Sequence, residues 1–368
     1  MKILLCFGTR PEAIKMAPVI LALKNNHLAY EVCVTGQHRE MLDQVLEFFE
    51  IKPDFDLKIM QEEQSLNSLS ALILEKTDVI LQEAKPDLIL VQGDTTTAFI
   101  AALTAFNRGI KIGHIEAGLR TQNLHSPFPE EANRQLISRI ADFHFVPTSS
   151  NQDKLLREGI SKDKIFITGN TVIDALRMAE KKLNSGYENE ELKGLKGLLN
   201  KNKKVLLVTG HRRESFGGGL EEVCKGLRKF AERKDVQIIF PVHLNPQVRR
   251  KVFEILGKHP NIYLIEPVSY PSFLWLMMQA SAIISDSGGV QEEAPSLKKP
   301  VLVTRKFTER EEAVIAGFST VVGTSGEMLI KKLEEVLENP PDFTGVRNPY
   351  GDGEASQKIV EIIKRENA

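Results

Sequence analysis

A chain of 368 residues is too long for one ordinary core and predicts two domains of about 150–200 residues each. With 42% hydrophobic and 26% charged residues it reads as globular, and a net charge of −1 excludes an overall basic field toward nucleic acid or membrane surfaces. No apolar run reaches a membrane span, the run in MKILLCFGTRPE is too short for a signal peptide, and Cys6, Cys33 and Cys224 read as reduced thiols of a cytoplasmic protein.

Short apolar runs alternate with amphipathic patterns. KILLCFG predicts a buried strand, and PEAIKMAPVILALKN a helix opened by Pro11. YEVCVTG is a second strand and REMLDQVLEFF a second helix, followed by the long helix LNSLSALILEKTDVILQEAK. PDLILVQGD is a strand ending at Asp94, TTTAFIAALTAFNR its helix, GIKIGHIEA the next strand and PEEANRQLISRIA the next helix. DFHFVPT and DKIFITGN complete the first half. Residues 181–204 are charged, contain no strand pattern and read as a linker or an exposed helical segment. The alternation restarts with KVLLVTGHRRES, then VQIIFPVH, NIYLIEPV, SAIISDSGG, KPVLVTR and STVVGTS, with helices between, and ends in the helix GEASQKIVEIIKREN.

Continuous apolar strands separated by helices mean parallel βαβ units, so the fold class is α/β with two Rossmann-like, doubly wound parallel-sheet domains facing a cleft. The expected boundaries are 1–170, a helical connection over 171–203, and 204–352, with the helix 353–368 packing back on the first domain.

The chemically informative residues follow strands. Gly8-Thr9-Arg10, Gly93-Asp94, Glu116, His211-Arg212-Arg213, His243 and Asp286-Ser287-Gly288-Gly289 all sit at predicted strand tips. In SDSGGVQEEAPSL two glycines precede a helix that starts at VQEE, an arrangement that lets backbone amides approach a diphosphate at a helix N-terminus. Glu292 or Glu293 then accepts hydrogen bonds from a ribose diol. The loop GTRPEA does not fit the G-x-G-x-x-G that a tightly held nicotinamide cofactor needs after the first strand. The histidines are scattered without metal-ligand spacing, and His114 reads as a satisfied core residue. Asp94, Glu116 and the Glu130-Glu131 pair belong to the first half, with Arg134 one turn beyond the pair and positioned to ion-pair with one of them. Clustered carboxylates raise one another's pKa, so one stays protonated as general acid while another serves as base.

The ordered matches FGTRPEAIKMAP, TGQHREMLDQVL, GDTTT, HIEAGLRT, PFPEEANRQL, FITGNTVIDAL, TGHRRESFG, FPVHLNP, SDSGGVQEEAPSL, TEREEA and NPYGDGEAS make the chain resemble the non-hydrolysing UDP-N-acetylglucosamine 2-epimerases. The resemblance implies a glycosyltransferase-B type of fold, a homodimer, no cofactor, and reversible C2 inversion between UDP-N-acetylglucosamine and UDP-N-acetylmannosamine. It implies elimination of UDP to 2-acetamidoglucal followed by re-addition, with interdomain closure excluding water. By motif it assigns acid–base roles to Asp94, Glu116, Glu130 and His211, with Arg134 orienting them. Substrate contacts fall on Arg10, Lys15, Phe273, Ser287, Gly288, Gly289, Glu293 and Arg310, Phe273 being the residue placed to stack on uracil. Gln37, His38 and His243 match a site at which some bacterial members bind a second UDP-N-acetylglucosamine as activator. Lys306, Phe307 and Glu311 stand where relatives usually carry Asp, Thr and Pro, which bears on the loop before Arg310. Which acid takes the C2 proton stays open. So do a glycosyltransferase, a hydrolysing epimerase and a nucleotide-sugar sensor as rival readings.

Overall fold

The structure is a computed structural model that describes residues 1–36, 39–59, 64–210 and 219–366. The chain divides into two compact units, Met1–Met178 with Tyr350–Ala368, and Ala179–Pro349.

The first unit is built on strands β1 (Lys2–Phe7), β2 (Ala29–Val34), β3 (Phe55–Asp56), β4 (Leu88–Gln92), β5 (Lys111–Ile115), β6 (Phe143–Val146) and β7 (Ile165–Ile167). They form one sheet in the order β3-β2-β1-β4-β5-β6-β7. Every pair in it is parallel. The apolar runs are continuous because helices cover both faces, and Leu4, Ile89, Val91 and Ile112 are fully buried. Between the strands run α1 (Arg10–Asn25), α2 (Arg39–Phe48), α3 (Leu66–Ala84), α4 (Thr96–Asn107), α5 (Glu130–Ile140), α6 (Ser149–Arg157) and α7 (Thr171–Asn184). Sequence order reverses in space between β1 and β4, so the loops after these strands open a crevice at the carboxyl edge.

The second unit begins within α7 and continues through α8 (Glu190–Leu198). Leu192 and Leu195 of α8 are buried, so this charged stretch docks through one apolar edge of its helix. Strands β8 (Lys204–Thr209), β9 (Val236–Pro241), β10 (Ile262–Ile265), β11 (Ala282–Ser285), β12 (Val301–Val303) and β13 (Ser319–Val321) form a second sheet in the order β10-β9-β8-β11-β12-β13. It too is parallel throughout. Its helices are α9 (Gly219–Phe230), α10 (Pro246–Leu256), α11 (Tyr270–Gln279), α12 (Gly288–Glu293), α13 (Glu311–Ile315) and α14 (Gly326–Glu338). The helix after SDS begins at Gly288, not at VQEE: both glycines form its first turn, and it passes into a 3-10 turn at Ala294–Leu297 where Pro295 removes a donor.

The chain re-enters the first unit at Tyr350 and ends in α15 (Ala355–Arg365), which packs on α1 and buries Ile359, Val360 and Ile363. The Asp174 carboxylate of α7 caps this helix, accepting from the Ser356 amide at 2.7 Å and its hydroxyl at 2.6 Å. Nearby, the Asn170 amide donates to the Tyr350 carbonyl at 2.7 Å.

Candidate active site

Thr9 and Thr95, which precede α1 and α4, flank the crevice between β1 and β4. The buried Glu12 carboxylate joins them, with Oε2 accepting from the Gly8 amide at 3.1 Å and the Thr9 amide at 2.8 Å. Oε1 accepts from the Thr95 hydroxyl at 2.8 Å. Burial pushes the Glu12 carboxyl above its ordinary range, against the pull of those donors. Thr95 in turn caps α4 by accepting from the Ala98 amide at 3.0 Å. This geometry fixes the Gly8-Thr9 loop that leads into Arg10 at the start of α1, and the turn that holds Asp94.

The β5 tip carries Glu116 in the left-handed region, at φ 64°. Its Oε2 is ion-paired with the Lys15 ammonium and accepts from Gln92 Nε2 at 2.8 Å. Arg134 of α5 bridges two further acids. It meets Asp94 Oδ2 through Nε at 2.7 Å and through Nη2 at 2.7 Å. Its Nη1 meets Glu131 Oε2 at 2.9 Å. Asn133 adds a bond to the Asp94 carbonyl at 2.8 Å. Glu131 is wholly buried; burial works against its charge, but Gln135, the Thr121 amide and Arg134 together hold the carboxyl below the usual range.

These pairings set the charge balance of the site: Asp94 and Glu131 share a guanidinium and Glu116 has an ammonium, because α1 and α5 each bring a cation to the strand tips. Glu130 opens α5, and its Oε2 is buried with no hydrogen-bond partner among the described residues. His114 is a core residue, as expected, but only one ring nitrogen is satisfied: Nδ1 is buried with no partner among the described residues. Its Nε2–H donates to the Gly93 carbonyl at 2.8 Å, and burial pushes its pKa down to about 3, keeping the ring neutral.

In the second unit Ser287 precedes the buried Gly288, and a β-carbon on Gly288 would lie 2.9 Å from Arg310 Cζ. Arg310 is thus pressed against the first turn of α12. Its Nε donates to Glu292 at 2.9 Å and its Nη1 to Glu309 at 2.8 Å. Of the two candidate ribose acceptors, Glu292 is therefore ion-paired with Arg310, whereas Glu293 accepts from the Tyr270 hydroxyl at 3.1 Å. The loop carrying the unusual Lys306 and Phe307 still closes on α12, since the Thr308 hydroxyl donates to Gln291 at 2.6 Å and accepts from the Arg310 amide at 3.1 Å. Phe307 points to solvent. Phe273 is half-buried on α11. His243 is exposed just beyond β9, with Nδ1 accepting from the Asn245 amide at 3.1 Å. Gln37, His38 and His211 lie outside the described residues.

Sequence reasoning did not single out Glu12, Gln92 or Tyr270. Glu12 had a signal, the T-x-x-E spacing of a capping box at TRPE. Gln92 had one as well, a single amide closing the apolar run LILV. Tyr270 had none.

Two doubly wound parallel sheets, each covered by helices on both faces, make this an α/β protein with a Rossmann-like unit in each half. The chain belongs to the UDP-N-acetylglucosamine 2-epimerase family, whose sequence model matches residues 21–364. It is 51% identical to UDP-N-acetylglucosamine 2-epimerase of Escherichia coli K12 over 370 aligned positions, covering 99% of this chain and 98% of that one. Its fold is similar to a crystal structure of UDP-GlcNAc 2-epimerase from Neisseria meningitidis bound to UDP-GlcNAc, with a TM-score of 0.94, 48% identity, and coverage of 99% and 100%. It is also similar to the Methanocaldococcus jannaschii enzyme in complex with UDP-GlcNAc and UDP, at a TM-score of 0.85, 34% identity, and coverage of 99% and 100%.

Proposed function

We propose that this chain interconverts UDP-N-acetylglucosamine and UDP-N-acetylmannosamine by eliminating and re-adding UDP. The C2 hydrogen adjoins no carbonyl, so a bare carbanion is avoided by coupling its removal to departure of the nucleotide. A carboxylate takes the C2 proton, the C2–H electron pair becomes the C1–C2 double bond, and the C1–O pair leaves with UDP. Protonation of 2-acetamidoglucal on the opposite face and attack of the β-phosphate oxygen on C1 complete the inversion. Asp94, Glu116, Glu130 and His211 are the proton-handling residues in this reading, with Arg134 setting the orientation and charge of Asp94. Arg10, Ser287, Gly288, Gly289 and Arg310 serve the diphosphate, Glu293 the ribose and Phe273 the uracil, while Lys15 acts at Glu116.

The observation that carries the reading is the set of strand-tip carboxylates, each held by a cation, at the crevice of the first sheet. Membership of the family and its nucleotide-sugar complexes support the substrate. The test is incubation with UDP-N-acetylglucosamine in deuterium oxide, followed by proton NMR. Deuterium at C2 of both epimers is expected. Intact substrate without exchange points to a transferase or a sensor, and free sugar to a hydrolysing enzyme. A cytoplasmic homodimer accompanies this reading, and sedimentation equilibrium tests the dimer.

A further inference from the structure

We propose that Gln92 is a positioning residue that holds the Glu116 carboxylate ionised and aimed for proton transfer. The proposal rests on the epimerase reading above and assigns Glu116 the state in which it enters the cycle.

Gln92 is the last residue of β4 and is 3% exposed. An amide at that depth is costly unless it is hydrogen-bonded, and its Nε2 donates to Glu116 Oε2 at 2.8 Å. The backbone around it is fixed. Gln92 is in register with Ile115, the Gly93 amide donates to the Ile115 carbonyl at 2.9 Å, and His114 holds the Gly93 carbonyl. On the far side the Ala117 amide donates to Phe145 at 3.1 Å. Glu116 is thus a left-handed, non-glycine residue pinned between two paired neighbours, a conformation that persists only where its surroundings over-determine it.

Lys15 reaches the same oxygen, but a lysine is a flexible point charge, whereas the Gln92 amide is carried on a buried strand. Several of the other charged groups on the elements around this tip are engaged elsewhere, while Glu130, which opens α5, keeps a buried Oε2 with no partner among the described residues. Glu12 of α1 binds the Gly8 and Thr9 amides and Thr95, and Asp94 and Glu131 share Arg134. Arg120, beyond β5, is bidentate to Glu158. Arg10 opens α1. A donor on the carboxylate favours its charged form, so the ammonium and the amide together make Glu116 a proton acceptor.

Gln92→Leu removes the donor at similar volume, and Gln92→Asn keeps an amide that falls one methylene short. Each variant is first checked for folding by its melting curve and for UDP affinity by calorimetry. In both, kcat is expected to fall about tenfold or more and the acid limb of the kcat/KM profile to move up by about one pH unit, as a carboxylate loses a hydrogen bond to its charged form. KM for the nucleotide sugar and Kd for UDP are expected to stay within about twofold of wild type. An unmoved acid limb overturns the proposal, whether the rate is normal or uniformly reduced. The wild type run alongside in deuterium oxide separates the two readings: no exchange at C2 removes the epimerase reading itself, whereas normal exchange with an unmoved limb in the variants removes only the role of Gln92.

Discussion

Arg134 of α5 lies 2.7 Å from Asp94, an acid in the turn after β4, and grips it with two nitrogens while its remaining terminal nitrogen holds the buried Glu131. One guanidinium is therefore shared by two carboxylates and ties the start of α5 to the turn after β4. Planarity matters here, because five donors in a fixed fork meet both acids at once.

Arg134→Lys is expected to keep the charge and lose the fork, lowering turnover roughly tenfold to a hundredfold with UDP binding little changed. Arg134→Leu leaves Glu131 buried without its cation, and about 3–5 kcal/mol of stability should disappear. Urea titration measures the loss. Adding Glu131→Gln to the leucine variant should restore part of it, and strict additivity of the two changes would contradict the pairing.

Gly288→Ala places a methyl where the Arg310 guanidinium lies, at 2.9 Å from Cζ. The arginine must leave Glu292 or α12 must shift. UDP affinity is expected to weaken about tenfold or more, the scale of a lost charge-assisted contact. Calorimetric titration with UDP gives the answer, and an unchanged Kd removes Arg310 from the diphosphate site.

His114 gives the fold an acid-labile point. Its pKa is depressed to about 3 in the folded chain, below the value of about 6.5 in an unfolded one, so the unfolded state binds more protons at intermediate pH. The contribution of the neutral ring is complete above about pH 6.5 and drains away as pH falls toward 3, by up to about 1.4 kcal/mol per pH unit. His114→Asn removes the titrating ring, so its urea midpoint is expected to fall less steeply than that of wild type between pH 7 and 4. Parallel curves would show that the ring is not the acid-sensitive group.

Glu12 has the opposite sign of shift. Its folded pKa is raised, so its contribution is complete below the unfolded value of about 4.3 and is lost as pH rises through the folded value. Glu12→Gln can still accept from the Gly8 and Thr9 amides through its oxygen and does not ionise. The melting temperature of wild type relative to Glu12→Gln is therefore expected to drop as pH rises from about 4 to 7. A difference that widens in favour of wild type would count against a strained buried charge.

The strands were legible because a parallel sheet covered on both faces demands unbroken apolar runs, and helices such as α9 and α15 because each shows one apolar stripe. Glu116 was legible as a charge misplaced at the end of such a run. Its partners were not. Lys15 lies 101 positions away and Glu12 lies 83 positions from Thr95, and they meet only because β1 is laid beside β4. That adjacency is a property of the sheet order, which local patterning does not contain. The same holds for Tyr270 and Glu293, joined across 23 positions from different helices. The start of α12 was misjudged for a local reason: glycines usually precede a helix, but here they are its first turn.

The contact of α15 with α1 has a consequence for how the polypeptide is made. On the ribosome, the first unit emerges without its closing helix, and the stretch Ala179–Pro349 must be translated before that helix exists, roughly 9–34 s at about 5–20 residues per second. Throughout that interval the face of α1 that α15 packs on stays uncovered, so the first unit is finished only after the second has been translated.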